Sequence, residues 1–357
     1  MSKPKRIVGF DCEASAVLGI KLLLHTRLEE MCGLRTGALD WSDIEGVHDM
    51  RVASRRLRSA LRDFKPYFKR RKQRRAGDAI KRIADSLGTV RDKDVAIAAL
   101  EKLAANAPPD VAVGIEMFAA ERRGHREADR RALVDALASE QLVSIRAEFD
   151  ATLEVALVST QAGRSKVADG QPELSFRSLG QNIVKSRMEE LQDYRTSLYH
   201  PLTTKPLHRM RIAAKRLRYA IELFAQCWNT RLDAFAKEVA ELQTSLGELH
   251  DSDVWIAEFG GLLEKQNESD AGTEPTETGD VNVQRYHACV WLLGHFTKRR
   301  TNHYRDALAR WHDWETNDFF ARLETCMQRS PTKRKASQTS LSIVKTIASD
   351  VDSSRVS

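Results

Sequence analysis

The chain has 357 residues, 42% of them apolar, enough to bury one large core or two ordinary ones without metal or disulfide staples. Lys and Arg total 57 against 50 acids, giving +7 and only a mild bias toward anionic partners. No run approaches the eighteen or so apolar residues of a membrane span, and the opening "MSKPKRIVGF" lacks the apolar stretch of a signal peptide, so membrane and secreted classes are set aside. Cys12, Cys32, Cys227, Cys289 and Cys326 stand far apart, with no C-x-x-C pair and no zinc-like spacing, a usage that suits a reducing cytosol. The expected location is therefore the cytoplasm.

In chain order, almost every patterned segment has helical spacing: Val17, Leu18, Leu22, Leu24 and Leu28, then Met50, Leu57, Leu61 and Phe64, then Ile80, Ile83 and Leu87. Pro108 and Pro109 interrupt the first half. "STQAGRSKVADGQPEL" (159–174) reads as a polar connection, and Leu217, Ile221 and Phe224 resume the helical pattern. "NESDAGTEPTETGD" (267–280) is an acidic loop, and "SPTKRKASQTS" opens a tail too poor in apolar residues to pack. Alternating strand candidates bounded by turns are absent, so the fold class is all-α.

Two segments repeat. Residues 47–64 and 207–224 share nine of eighteen positions, including His48/His208, Met50/Met210, Arg51/Arg211, Arg56/Arg216, Leu57/Leu217, Arg58/Arg218 and Phe64/Phe224. "SLGTVRDKDV" (86–95) then matches "SLGELHDSDV" (245–254), and Arg27 precedes His48 by the interval that separates Arg187 from His208. More than one element recurs at a nearly constant offset, which argues for two homologous helical halves. The divisions expected are 10–157 for the first half, 158–174 for a linker, 175–329 for the second half and 330–357 for a flexible tail.

Charge concentrates on the repeated helix. Between Arg51 and Arg75 there are twelve Lys or Arg and one acid, Asp63. At roughly 100° per residue, Leu57, Leu61 and Phe64 fall within about 40° of Met50 and form the buried stripe with it. Arg51, Arg55, Arg58 and Arg62 form a second stripe between roughly 80° and 140°, with Arg56 alone on the other flank. Arg211, Lys215 and Arg218 repeat the basic stripe, and Glu222 replaces its fourth cation. Solvated helix faces normally mix signs, because like-charged i, i+4 neighbours repel. A self-repelling stripe built twice calls for a polyanion. Planar guanidinium groups fork onto phosphate oxygens. Base-edge readers and stacking aromatics are not evident, so a base-free phosphate chain suits the residues better than nucleic acid.

At "VHDMRVASRRLRSALRDF", "LHRMRIAAKRLRYAIELF" and the two "SLG-x-x-x-D-x-DV" segments the sequence resembles the CHAD family, the conserved-histidine α-helical domains. The resemblance covers about 10–328 and rests on a repeated H-x-M-R-x-A-x-[RK]-R-L-R. It implies two four-helix units related by a pseudo-twofold axis, with basic faces lining a central channel or groove that holds inorganic polyphosphate. On this resemblance Arg51, Arg55, Arg58 and Arg62 meet the ligand from one half and Arg211, Lys215 and Arg218 from the other. His48 and His208 sit at the helix starts, as ligand contacts or as packed caps. Arg27, Arg56, Arg187 and Arg216 join the expected site, as do Arg122 and Arg126 of "ERRGHR" and Lys298, Arg299 and Arg305 of "TKRRTNHYR". The E-x-E-x-K strand signature of a fused triphosphate tunnel domain is not found, so a stand-alone binding module is expected.

Asp92/Asp94 and Asp251/Asp253 are read as helix-boundary caps and partners for arginines in preference to a magnesium site. Histidine protonation predicts tighter binding below about pH 6.5. Nucleotide, metalloprotease and hydrolase motifs are missing. The expectation is a non-enzymatic binder of inorganic polyphosphate, with no cofactor and no metal, located at polyphosphate granules. The alternatives are a polyphosphate- or triphosphate-processing phosphohydrolase and a nucleic-acid binder using the same stripe.

Overall fold

The structure is a computed structural model that describes residue 7 and residues 10–68, 70–164, 174–270 and 279–329. The expected tail, 330–357, lies outside these residues, as do 165–173 of the expected linker and 271–278 of the acidic loop. Eleven α-helices carry the described chain: α1 (Ala16–Gly33), α2 (Arg35–Ala38), α3 (Ile44–Asp63), α4 (Arg70–Ala104), α5 (Pro109–Ala136), α6 (Ser139–Arg164), α7 (Phe176–Asp193), α8 (Thr204–Phe224), α9 (Asp233–Asp270), α10 (Gly279–Thr316) and α11 (Phe319–Gln328). Short 3-10 turns follow α3, α7 and α8. Among the described residues the only β pairing is one antiparallel bridge, Ser15 with Ser175. α6 runs through Arg164, past the boundary expected at 157. The first half therefore carries five long helices rather than four.

Local chemistry sets the boundaries. The Ser15 hydroxyl accepts from the Val17 amide at the start of α1, Asp43 accepts from Glu45 at the start of α3, and Ser175 accepts from Ser178 at the start of α7. Pro109 opens α5 at the first helical position, where its missing N–H costs nothing.

Two cores form. The larger one takes the stripes of both repeated helices, Met50, Leu57, Leu61 and Phe64 with Met210, Leu217, Ile221 and Phe224, and joins them to α1, α7 and α9. Phe64, Phe176 and Phe224 meet at its centre in tilted and edge-to-face contacts, with ring centroids 4.9–6.3 Å apart. α7 reaches this cluster because Gly180 has no side chain; a Cβ there would stand 2.6 Å from the Phe224 ring. The smaller core lies where the α4–α5 and α9–α10 hairpins meet, around Ile115, Phe118, Phe259, Leu292 and Phe296. Gly114 of α5 lies so close to α10 that a Cβ would stand 2.3 Å from the Gln284 carbonyl oxygen.

The cysteine reading is corrected. Cys12 and Cys227, 215 residues apart, form a disulfide that ties the segment before α1 to the turn after α8. Backbone bonds from Phe176 to Ala14 and from Arg177 to Cys12 hold the segment before α1 against the start of α7, and the Arg177 side chain donates to the Cys227 carbonyl, a long-range arrangement that cysteine spacing does not reveal. Cys32, Cys289 and Cys326 are free thiols.

Candidate functional site

A cleft of about 610 Å³ opens between α3, α4 and α8. Arg51, Arg55, Arg58 and Arg62 of α3 line one wall, Asp85, Gly88, Thr89 and Asp92 of α4 another, and Lys215 and Tyr219 of α8 complete it. The helical period explains the basic wall: with Met50, Leu57 and Phe64 fully buried, the arginines at positions +1, +5, +8 and +12 from Met50 project beside the core. The Ser59 hydroxyl accepts a hydrogen bond from Arg62 at 2.8 Å. Arg51 donates to Asp92 at 2.8 Å, and Arg58 lies 3.8 Å from Asp85. Among the described residues no carboxylate stands within 4.0 Å of Arg55 or Lys215.

The Ser-Leu-Gly-x-x-x-Asp-x-Asp segments lie in the interiors of α4 and α9, which corrects the boundary reading. Gly suggests a helix end from propensity alone. Here the bare backbone of Gly88 lies against Arg51 and that of Gly247 against Arg211, with an added Cβ 3.9 and 3.7 Å from the respective Nε atoms. The two acids of each segment divide their work. Asp92 takes Arg51, and Asp251 lies 3.9 Å from Arg211. The second acid faces the following helix, where Asp94 meets Arg126 at 3.4 Å and Asp253 meets Arg300 at 2.5 Å. Arg122 pairs with Glu258 and lies over the Trp255 ring, and Arg299 pairs with Glu248. Lys298 and Arg305 are exposed on α10. None of Arg122, Arg126, Lys298, Arg299 and Arg305 lines the cleft, so the expected extension of the channel along these helices is not seen. Arg122, Arg126 and Arg299 instead brace the hairpins.

The expected opposition of two arginine stripes is also corrected. Glu222, where α3 has Arg62, draws Arg218 inward to 3.1 Å, and Arg218 is 2% exposed and packed over Tyr219. Arg56 is 7% exposed, between Glu30 and Glu222. Arg27 pairs with Glu30 at 2.5 Å, Arg187 with Asp63 and Glu190 at 2.7 Å, and Arg216 with Glu190. Arg56–Glu222 and Arg187–Asp63 cross between the halves, Arg27–Glu30 and Arg216–Glu190 stay within one, and none of these four arginines lines the cleft. Burial pushes the Glu222 and Asp63 carboxyls up, and the adjacent guanidinium groups oppose that push.

A match to the CHAD domain spans residues 22–260, two thirds of the chain. The chain belongs to the CHAD domain family. The curated protein Rv2226 of Mycobacterium tuberculosis is 27% identical over 216 residues, covering 58% of this chain and 38% of that protein, so the chain matches well under half the length of this relative. The crystal structure of the CHAD domain from the plant Ricinus communis superimposes with a TM-score of 0.63 at 22% identity, over 87% of this chain and 96% of that one. PptA from Streptomyces chartreusis superimposes with a TM-score of 0.56 at 11% identity, over 84% and 100%. At these identities the structural likeness establishes the fold. Among the described residues no helix is long and apolar enough to cross a membrane.

The CHAD histidines stand outside the cleft lining. His208 faces His250, the two Nδ1 atoms 3.2 Å apart, while the charge of Arg91, the counterpart of His250, bears on His48. Burial first, and then the charges of Arg91 for His48 and of Arg211 and Lys215 for His208, lower both imidazoles below the usual range. His250 falls to about 4. Titration of these rings is thus displaced below the pH 6.5 expected from an ordinary histidine. Lys215 falls to about 7, chiefly through burial and then through the like charges of Arg55, Arg211, Arg62 and Arg51. Sequence reasoning missed Tyr219, Thr89, Asp85 and His250 as neighbours of the site. Only the alignment of His250 with Arg91 hinted at one of them.

Proposed function

We propose that this CHAD protein binds inorganic polyphosphate along the α3 wall, with Lys215 closing the cleft from α8. The observation that carries the reading is the convergence of Arg51, Arg55, Arg58, Arg62 and Lys215 on one cleft that also presents hydroxyls and whose aromatic, Tyr219, is too buried to offer a base a stacking face. Five cations against Asp85 and Asp92 leave a surplus of about three positive charges, which a phosphate chain neutralises residue by residue. Arginines without a competing acid supply the strongest contacts.

On this reading the halves, 10–157 and 175–329, are related by a pseudo-twofold axis, supported by the paired contacts Arg51–Asp92 with Arg211–Asp251 and Asp94–Arg126 with Asp253–Arg300. Binding is the whole activity and no bond is cleaved. The site of action on this reading is the cytoplasm, at polyphosphate granules; the Cys12–Cys227 disulfide counts against a reducing cytosol, and imaging of the tagged full chain against a granule stain decides between granules and a more oxidising compartment. The decisive binding test is a titration against polyphosphates of graded length, with duplex DNA of equal charge as competitor and Mg²⁺ or Mn²⁺ present. Length-dependent affinity, weak displacement by DNA and no phosphate release support the reading. Efficient displacement favours a nucleic-acid ligand, and phosphate release favours a phosphohydrolase.

A further inference from the structure

Lys215 differs from every other cation of the cleft. The arginines that share its space stay charged at any biological pH because guanidinium does not deprotonate there. A primary amine has a second option, which is to lose its proton when charge is costly.

The surroundings of Lys215 make charge costly from every side. α3 presents Arg51, Arg55 and Arg62 to it, and α8 itself adds Arg211 one turn away. α9 contributes His250, which with His208 of α8 forms the nearby imidazole pair. The acids of the cleft are engaged elsewhere, Asp85 by Arg58 and Asp92 as acceptor from Arg51, and Asp251 of α9, outside the lining, lies by Arg211. α7, packed on α8, uses Arg187 and Glu190 on Asp63 and Arg216. Among the described residues no carboxylate pairs with Lys215.

Resting on the polyphosphate reading of the cleft, we propose that Lys215 makes binding proton-coupled: as the phosphate chain settles between Lys215 and the α3 arginines, the amine takes up a proton from solvent. The lone pair of Nζ accepts the proton, the buffer acid becomes its conjugate base, and no bond to phosphorus forms or breaks. The anion supplies the negative charge that α3, α4, α8 and α9 do not. The downward shift of Lys215 to about 7 agrees with this geometry. The consequence is regulation of the site by pH: affinity falls as pH rises from 7 toward 9, because binding must then draw a proton from a more dilute supply.

The test is calorimetric titration of long-chain polyphosphate into the full chain, at pH 6 and pH 8, in two buffers of different ionisation enthalpy. Wild type is compared with Lys215→Met and Lys215→Arg. Long chains keep the contribution of terminal phosphates small, and the pH 8 comparison lies furthest from the histidines, whose titration is displaced below the usual range and on which the charge of Lys215 itself bears. At pH 8 the wild type takes up roughly 0.9 proton more than either variant, and at pH 6 the difference shrinks to roughly 0.1. Lys215→Arg retains a permanent cation and so binds at pH 8 without that uptake. Equal proton uptake by wild type and Lys215→Arg at pH 8 overturns the coupling while leaving the polyphosphate site intact. Failure of the wild type to bind polyphosphate at low salt overturns the coupling together with the reading beneath it.

Discussion

Arg51 and Arg55 occupy successive turns of α3 and differ in their company: Arg51 donates to Asp92, whereas Arg55 has no acid within 4.0 Å among the described residues. An arginine already bonded to a carboxylate gives up part of that interaction when phosphate arrives, and one without such a partner gives up little. Arg55→Ala is therefore expected to lower polyphosphate affinity by roughly tenfold or more, from the ~1.5–3 kcal/mol of a charge-assisted bond, with thermal stability nearly unchanged. Asp92→Asn releases Arg51, removes a negative charge from the cleft wall and should raise affinity several-fold. Titration calorimetry at fixed salt measures both; a loss of affinity in Asp92→Asn would contradict the assignment. For Lys215 the sign follows from proton counting. Its native value, about 7, lies below the ordinary 10.5, so between these values the unfolded chain holds more protons and stability rises with pH. Below pH 7 both states are charged and the full penalty is present. Ligand-free Lys215→Met should therefore melt above wild type, by on the order of 2–4 °C for each kcal/mol relieved. The gap should be widest below pH 7 and should close as pH approaches 10.

At the scale of elements, the Asp-x-Asp segments show how one helix serves two neighbours. Asp251 is exposed and leans toward Arg211, whereas Asp253 is largely covered and holds Arg300 of α10, which also donates to the Pro201 carbonyl. Asp253→Asn should cost about 1–3 kcal/mol in urea unfolding, the price of leaving a covered guanidinium short of its partner. Asp251→Asn should stay within about 0.5 kcal/mol of wild type, as a surface pair does. Comparable losses in the two variants would refute this division of roles. The repeated helix faces were legible in the sequence because helical period alone assigns Met50, Leu57, Leu61 and Phe64 to the core and Arg51, Arg55, Arg58 and Arg62 to the flank beside it. Periodicity gives an angle about one axis and says nothing of the facing element. That is why Arg218, at the same angle as Arg58, was expected in the cleft, whereas Glu222 on the next turn draws it into the interior. Mid-helix Gly88 and Gly247 misled for a related reason: propensity marks glycine as a breaker, while here an arginine side chain lies against the bare backbone.

At the scale of the whole molecule, the halves that the repeat defines are not separate bodies. Met50 and Phe64 share one core with Phe176, Met210 and Phe224, and the Cys12–Cys227 disulfide crosses from one half to the other. Buried arginine–glutamate clusters, Arg27, Arg56 and Arg218 with Glu30 and Glu222, lie between the repeated helices. The shared interior holds α3 and α8 so that one wall of arginines and one half-buried lysine face a common space. The internal repeat and the CHAD pattern made the helical class and the basic helix readable from sequence. The asymmetry of the cleft, rich on α3 and reduced on α8 to Lys215 and Tyr219, comes from the local Arg218–Glu222 pair together with the long-range pairs Arg56–Glu222 and Arg211–Asp251, which sequence does not display. Whether the cleft is an electrostatic phosphate site is tested most directly by the slope of log affinity for polyphosphate against log salt concentration. By analogy with counterion release from nucleic acids, wild type should show a slope of roughly −3 to −5, and the combined Arg51→Ala, Arg55→Ala and Arg58→Ala variant should flatten it by about two to three units. A slope unchanged in the triple variant would contradict the account.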